Sequence, residues 1–295
     1  MKQKTVFRPV FLPENKGLGN ALKEALAHSS YELVARMDSD DISYPYRFQA
    51  QLAAFQAQPD LDVVGGSITE FVGEPENVTG ERTVETENAA ILADMKKRCA
   101  MNHVSVMYKK SSVMRAGGYL DWHYNEDYYL WIRMMEADCA FGNVPYPLVN
   151  VRTGADMAAR RGGMKYFKSE KGLQDYMRAH KLISFPRWAY NVLLRFGGEV
   201  VAPNALRTWL FKRLRKTFTP SPAPTLPAVG EDHPPFSVAT SVYAKDNPVW
   251  FDTALKSIIT DQTVKPDEVV LVVDGPVPDE IKRVIEKYEK LCAEG

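Results

Sequence analysis

"FSVATSVYAKDN", residues 236–247, is an apolar, β-branched stretch that ends on small polar residues, turns, and runs into a helical pattern. It reads as the opening of an α/β enzyme, yet it lies near the end of a chain of 295 residues. Beyond it the pattern predicts a helix over 249–261, a second strand in "EVVLVVDG" and a second helix over 278–291. That is a βαβα unit, for which a parallel, right-handed arrangement is expected.

The stretch before this unit, 218–235, carries six prolines and almost no periodicity, and reads as a semi-extended linker. Further upstream, residues 5–12 are extended and β-branched, and "ENKGLGNALKEALAHS" is a glycine-rich turn entering a helix with Leu18, Leu22 and Leu26 on one face. "YELVARM" (31–37) is another strand, followed by a helix near 46–58, a short buried strand in "DVVGG" and a helix near 87–98. "HVSVMYKK" alternates as a strand does, and 125–137, 162–181 and 186–216 have helical patterns, the last two with interruptions. Joining residue 295 to residue 2 gives an unbroken β-α-β-α-β-α-β series, with the seam in a polar stretch where permuted ends are tolerated. Eighteen extended residues span up to about 60 Å, enough to cross a domain of this size. The expectation is a circular permutation, with the first sheet unit moved to the end. The alternative is a fusion of two fragments.

Composition sets wide bounds. Apolar residues make up 45% and charged residues 25%, as in ordinary soluble domains. Lys plus Arg balances Asp plus Glu at 37 each, which gives no case for nucleic-acid binding. Cys99, Cys139 and Cys292 show no CxxC spacing, which disfavours a zinc site or a disulfide framework and suits a reducing compartment. No apolar run approaches the ~18–20 residues of a membrane span, and the first residues lack a signal-peptide core. A cytoplasmic location is expected, peripheral at the inner face of a bacterial plasma membrane.

Four stretches carry chemistry. "MDSDDISYPYRF" (37–48) sets three aspartates in four residues where a buried strand should end. Such crowding is costly unless a cation lies among the carboxylates; the other reading is a solvated turn with a helix cap. "VVLVVDG" (269–275) also ends a buried strand with an acid, Asp274, where open α/β sheets bind ligands. "NKGLGNAL" (15–22) puts flexible backbone at a helix start, where amides face an anion or simply make a tight connection. "NEDYYLWIR" (125–133) places Glu126 and Asp127 in a first helical turn, as a general base or as complements to the helix dipole.

In the rejoined order these stretches run SVY, VDG, NKGLG, DSDD, NHVSVM, ED. The ordered set resembles glycosyltransferase family 2, the inverting GT-A nucleotide-sugar enzymes, over nearly the whole chain apart from the linker. "ARMDSDD", "AGGY…EDYYLW" and "RRGGMKY" are similar to the bacterial branch that builds capsule, exopolysaccharide and O-antigen, including amylovoran-type enzymes. The written order of the segments departs from that family. The resemblance implies an α/β GT-A fold with a mostly parallel sheet. Residues 2–155 would be its second part, 156–217 a helical extension, 218–235 the linker and 236–295 the first, nucleotide-binding unit.

The resemblance further implies that Ser241 and Tyr243 reach the nucleotide and that Asp274 holds its base, most simply uracil. Asn15, Gly17 and Gly19 would frame the pocket. Asp38 and Asp40 match the family's DXD, with Asp38 nearest the ribose and metal-bound water and Asp40 a ligand of Mg2+ or Mn2+; Asp41 would stand behind them or cap the helix. Asp127, the second position of the ED pair, would be the general base for transfer of a hexose from a nucleotide diphosphate to a saccharide, or lipid-linked saccharide, acceptor. Arg160 and Arg161 are candidates for a lid over the diphosphate. His103 is a candidate sugar contact, and Trp122, Tyr128 and Trp131 candidate acceptor contacts, against ordinary structural roles for each. "LRTWLFKRLRK" (206–216) has Leu206, Leu210 and Leu214 on one face among five basic residues, and reads as a membrane-surface or docking helix. The rivals are a nucleotidyltransferase, whose basic glycine-rich signature "SVYAKDNP" lacks, and an inactive permuted scaffold that only binds nucleotide.

Overall fold

The computed structural model describes residues 4–154, 163–202, 225–226, 229 and 233–294. Its nine strands are β1 (Val6–Phe11), β2 (Leu33–Arg36), β3 (Ile42–Ser43), β4 (Val63–Phe71), β5 (Val78–Arg82), β6 (Met107–Lys109), β7 (Phe141–Arg152), β8 (Phe236–Tyr243) and β9 (Glu268–Asp274). They form one sheet in the order β1-β9-β8-β2-β6-β4-β7-β3, with β5 paired to β4. The β1/β9, β9/β8, β8/β2 and β4/β7 ladders are parallel; β6 runs antiparallel to both β2 and β4.

The carboxy-terminal strands therefore lie inside the sheet, between β1 and β2. Their sequence explains the position: all seven residues of β9 are buried, as expected of a strand covered on both faces. Their side chains alternate between two cores. Val269, Leu271 and Val273 enter one with Phe48, Leu52, Phe251 and Leu255, whereas Val270 and Val272 enter the other with Leu22, Leu26, Leu130 and Trp131. Followed in the order β8, β9, β1, β2, the parallel strands occupy sheet positions 3-2-1-4, the doubly wound pattern with its reversal between β8 and β2.

The helices cover both faces. On one side lie α2 (Arg47–Ala57), α8 (Pro248–Ile259) and α9 (Asp279–Glu294); on the other lie α1 (Leu18–His28), α3 (Asn88–Met95), α5 (Glu126–Glu136) and α6 (Met164–Ala179). A short α4 (Lys110–Arg115) follows β6, and α7 (Phe185–Arg195) follows α6. Asn247 caps α8 by accepting hydrogen bonds from the Val249 and Trp250 amides, with Pro248 in the first turn. Leu173 and Met177 bury α6 in the second core, so this part of the expected extension is integral to the packing.

Two expectations for individual elements change, and one strand was not expected. "HVSVMYKK" is a strand only over Met107–Lys109; His103–Ser105 form a 3-10 turn, because Asn102 and Ser105 engage the backbone of β4 and of each other. "DVVGG" extends into the nine-residue β4, since Ser67 and Thr69 are buried along with its apolar positions. The twelve-residue β7 was hidden by Pro145 and Pro147, which fall where its register with β4 shifts.

Candidate active site

The site lies at the carboxyl ends of β9, β8 and β2. Asp274, the last residue of β9, is buried, and its carboxylate accepts the Lys16 amide at 2.7 Å and the Gly17 amide at 3.0 Å. The Asn15 side chain donates to the Asp274 carbonyl at 3.3 Å. Gly17 has φ +82° and Gly275 has φ +85°, so both favour glycine. A Cβ on Gly275 would also come within 2.7 Å of the Asn15 amide nitrogen. The "VDG" and "NKG" stretches therefore interlock at backbone distance, although they are 258 residues apart. Gly19 is in the first turn of α1, facing Glu126.

A second link crosses from β8 to the end of β2. Tyr243 lies opposite Asp274 in the ladder, with Ser241 two residues earlier on the same face. The Tyr243 amide donates to Asp246 at 3.1 Å, and the Ser39 hydroxyl donates to the same Asp246 oxygen at 2.8 Å. Asp246 thus fastens the "SVY" turn to the middle of "DSDD". Tyr243 is 40% exposed, so its ring is available to a ligand.

Carboxylate oxygens of Asp38, Asp40 and Asp41 all lie within 4.8 Å of one another. The three differ in their neighbours. Asp38 is held by a two-pronged ion pair with Arg36, at 2.7 Å and 2.5 Å. Asp41 is buried and accepts the Arg152 amide at 2.8 Å. Burial, with the charges of Asp38 and Asp40, pushes the Asp41 carboxyl well above the usual range. Burial, then the charges of Asp38 and Asp246, pushes Asp40 up to about 6. Carboxylates that raise one another's pKa could hold a hard divalent cation, whose charge would remove the repulsion.

Behind the aspartates, Arg47 is fully buried and forms no ion pair with a carboxylate among the described residues, though it feels the charges of Asp38 and Asp41. Its guanidinium donates to the Arg36 carbonyl at 2.6 Å, the Ser43 hydroxyl at 3.0 Å and Gln51 at 3.2 Å. Burial lowers its pKa to about 9. It clamps the chain on both sides of "DSDD".

Helix α5 brings the remaining acids. Burial, and then the charge of Asp127, pushes Glu126 up to about 7, and Glu126 also feels Arg36 and Asp38. The Asp127 carboxylate accepts the Tyr128 amide at 2.7 Å and is approached by the Cys99 thiol at 3.8 Å. Glu126 lies against Gly19, within electrostatic reach of Asp38, and Asp127 meets Cys99 on the segment that enters the His103 turn. His103 is half-buried beside Tyr119, with its Nε2 2.8 Å from the Tyr119 hydroxyl, and desolvation lowers its pKa well below the ordinary value. Tyr128 and Trp131 are core residues; Trp122 is partly buried, and its ring nitrogen donates to the Ser169 carbonyl.

The expected site residues from both ends of the chain thus lie at one end of one sheet. Arg160, Arg161 and the 206–216 segment lie outside the described residues. The residues that sequence reasoning missed are Arg36, Arg47 and Asp246. Arg36 carried a signal: two positions before Asp38 on an extended strand, it must share that side chain's face. Asp246 was visible only as a turn residue.

The family model described as "Glycosyl transferase family 2" matches residues 1–119. An "Uncharacterized glycosyltransferase" of Haemophilus influenzae is 38% identical over 209 residues, covering 71% of this chain and 76% of the relative. "Amylovoran biosynthesis glycosyltransferase AmsE" of Erwinia amylovora is 33% identical over 205 residues, covering 70% and 76%. "UDP-Gal:alpha-D-GlcNAc-diphosphoundecaprenol beta-1,3-galactosyltransferase" of Escherichia coli is 32% identical over 207 residues, covering 70% and 74%.

Proposed function

We propose, from the premise that the chain belongs to glycosyltransferase family 2, that it transfers a hexose from a UDP-linked donor to a sugar hydroxyl of a lipid-linked acceptor, with inversion, in bacterial surface polysaccharide synthesis. The observation that carries this reading is the convergence of Asp274, the Asp38–Asp41 cluster and the Glu126–Asp127 pair at the strand ends. The relatives named for amylovoran synthesis and for galactosyl transfer from UDP-Gal to a diphosphoundecaprenol acceptor support the substrate classes.

On this reading Ser241 and Tyr243 line the nucleotide, and Asp274 positions the Asn15–Gly17 loop against it. A divalent cation at Asp40 and Asp38, Mg2+ or Mn2+, would supply Lewis-acid stabilisation of the departing diphosphate. Asp127 accepts the proton of the acceptor hydroxyl as that oxygen attacks the anomeric carbon from the face opposite the diphosphate.

The 3-2-1-4 order of the parallel strands also supports circular permutation. Residues 236–295 would then be the opening unit of the same GT-A domain, completed in cis. A nucleotide-binding scaffold without activity is separated from this reading by screening nucleotide sugars for hydrolysis with and without Mn2+. Metal-dependent release of UDP from one donor is expected, followed by transfer once the acceptor is supplied. Nucleotide binding without turnover of any donor would contradict the reading.

A further inference from the structure

Helix α7 turns an apolar face outward as well as inward. Its inward side is mixed: Trp188 packs against the second core, and Asn191 is buried and donates to the Lys96 carbonyl at 2.9 Å and to Gln174 at 2.8 Å. Arg195 pairs with Glu170 at 2.6 Å and donates to the Lys97 carbonyl at 2.8 Å. Its outward residues are apolar. Phe185, Tyr190, Leu193 and Leu194, with Val201 in the π-helical turn that follows (Phe196–Val201), each leave between 59% and 70% of their surface exposed. Pro186 and Ala189 fall on the same face by helical spacing. A contiguous apolar helix face of this kind is not a solvated surface; it marks a contact.

The charges beside it identify the contact. Arg178, Lys181 and Arg187 are exposed next to this face, and none pairs with an acid among the described residues. The only acid on the adjoining turn of α6, Asp175, is already engaged by Lys171 at 2.6 Å and by the Trp188 ring nitrogen at 2.8 Å. An apolar stripe edged by cations and aromatics is the pattern of a helix lying in the interface of an anionic bilayer. A second copy of the chain would bring the same cations together.

We propose that the outward face of α7 docks on an anionic lipid surface, with Phe185, Tyr190, Leu193 and Leu194 inserted at headgroup depth and Lys181 and Arg187 on the phosphates. The proposal deepens the lipid-linked acceptor reading and rests on it. The position suits that role: α7 is bonded to the Lys96–Lys97 carbonyls, and Cys99, two residues on, faces Asp127. An acceptor sugar anchored in the bilayer under α7 would thus be presented on the side of the general base.

The test is flotation of the full chain with phosphatidylcholine vesicles, with or without one-third phosphatidylglycerol. The wild type should float with the anionic vesicles. Leu193→Ser/Leu194→Ser should reduce partitioning by at least about tenfold, since two inserted apolar side chains are lost. Lys181→Gln/Arg187→Gln should erase the preference for anionic lipid. Donor hydrolysis and melting temperature should be unchanged in both variants. A wild type that does not float, or a Leu193→Ser/Leu194→Ser variant that floats equally well, overturns the proposal. So does that variant splitting a dimer, which would assign the face to a second copy, or melting early with flotation unaltered, which would assign it to the chain itself. Failure of donor hydrolysis in the wild type would count against the proposed function, not against the docking face.

Discussion

Asp274 and Gly17 meet at 3.0 Å, carboxylate to amide, although 257 positions separate them in the chain. With the companion bond from Lys16, this contact closes the turn after β1 onto the end of β9. Asp274→Ala leaves both amides without their acceptor in a part-buried setting. It should lower unfolding stability by about 1–3 kcal/mol in urea titrations. Ser241→Ala, at a position without such bonds among the described residues, should stay within ~0.5 kcal/mol of wild type.

Arg36 compensates Asp38 before any cation arrives, and its Nε has no partner among the described residues. Arg36→Met therefore removes the cation ion-paired with Asp38, leaving Arg47 and Arg152 as the positive charges near the three aspartates. Mn2+ binding to the nucleotide-free protein, read by electron paramagnetic resonance, should tighten about tenfold. The charge-neutral pair variant Arg36→Met/Asp38→Asn should return close to the wild-type affinity. Tightening in neither variant would show that Arg36 does not screen the cluster.

How much of this was legible beforehand differs from residue to residue. Strand β9 was plain because "EVVLVVD" has no polar interior and must be covered on both faces. "DSDD" was plain because three acids in four residues need a physical reason. The contact of Arg36 with Asp38 was only implicit, since strand periodicity shows the shared face and not the rotamer. The Asp246–Ser39 and Asp274–Gly17 bonds were beyond reach, because they depend on where β8 and β9 enter the sheet. Arg47 was hidden for another reason: an arginine in the first turn of an amphipathic helix is ordinarily a surface residue, and here it points inward to satisfy carbonyls at the sheet end.

Raised carboxyl pKa values set the pH dependence. Asp40 in the folded chain titrates near 6 against an ordinary 3.8, so between these values the native state holds more protons than the unfolded one. Stability without metal should therefore fall as pH rises from about 4 through about 6. Mn2+ needs the ionised form, so its affinity should drop by up to about tenfold per pH unit below about 6 and level off above it. Melting temperature measured against pH, with and without Mn2+, checks both. The metal should raise the melting temperature at pH 7.5 and have little effect at pH 4.5.

Glu126 and Asp127 are adjacent in sequence and face different neighbours. Asp127→Asn should leave Mn2+-dependent UDP binding within about twofold while lowering transfer by about 10²–10⁴. Glu126→Gln, which mimics a protonated carboxyl, should retain much of the activity and lose any pH step near 7. Transfer retained by Asp127→Asn would remove Asp127 as the base.

The most direct test of the account as a whole is calorimetric titration of UDP, in Mn2+, into the wild type, Asp40→Asn and Asp274→Ala. The two acids come from opposite ends of the chain, and the account places them around one ligand. One metal-dependent site per monomer is predicted, weakened at least about tenfold by either substitution. UDP binding that ignores Mn2+, or that survives Asp274→Ala and Asp40→Asn unchanged, would contradict it.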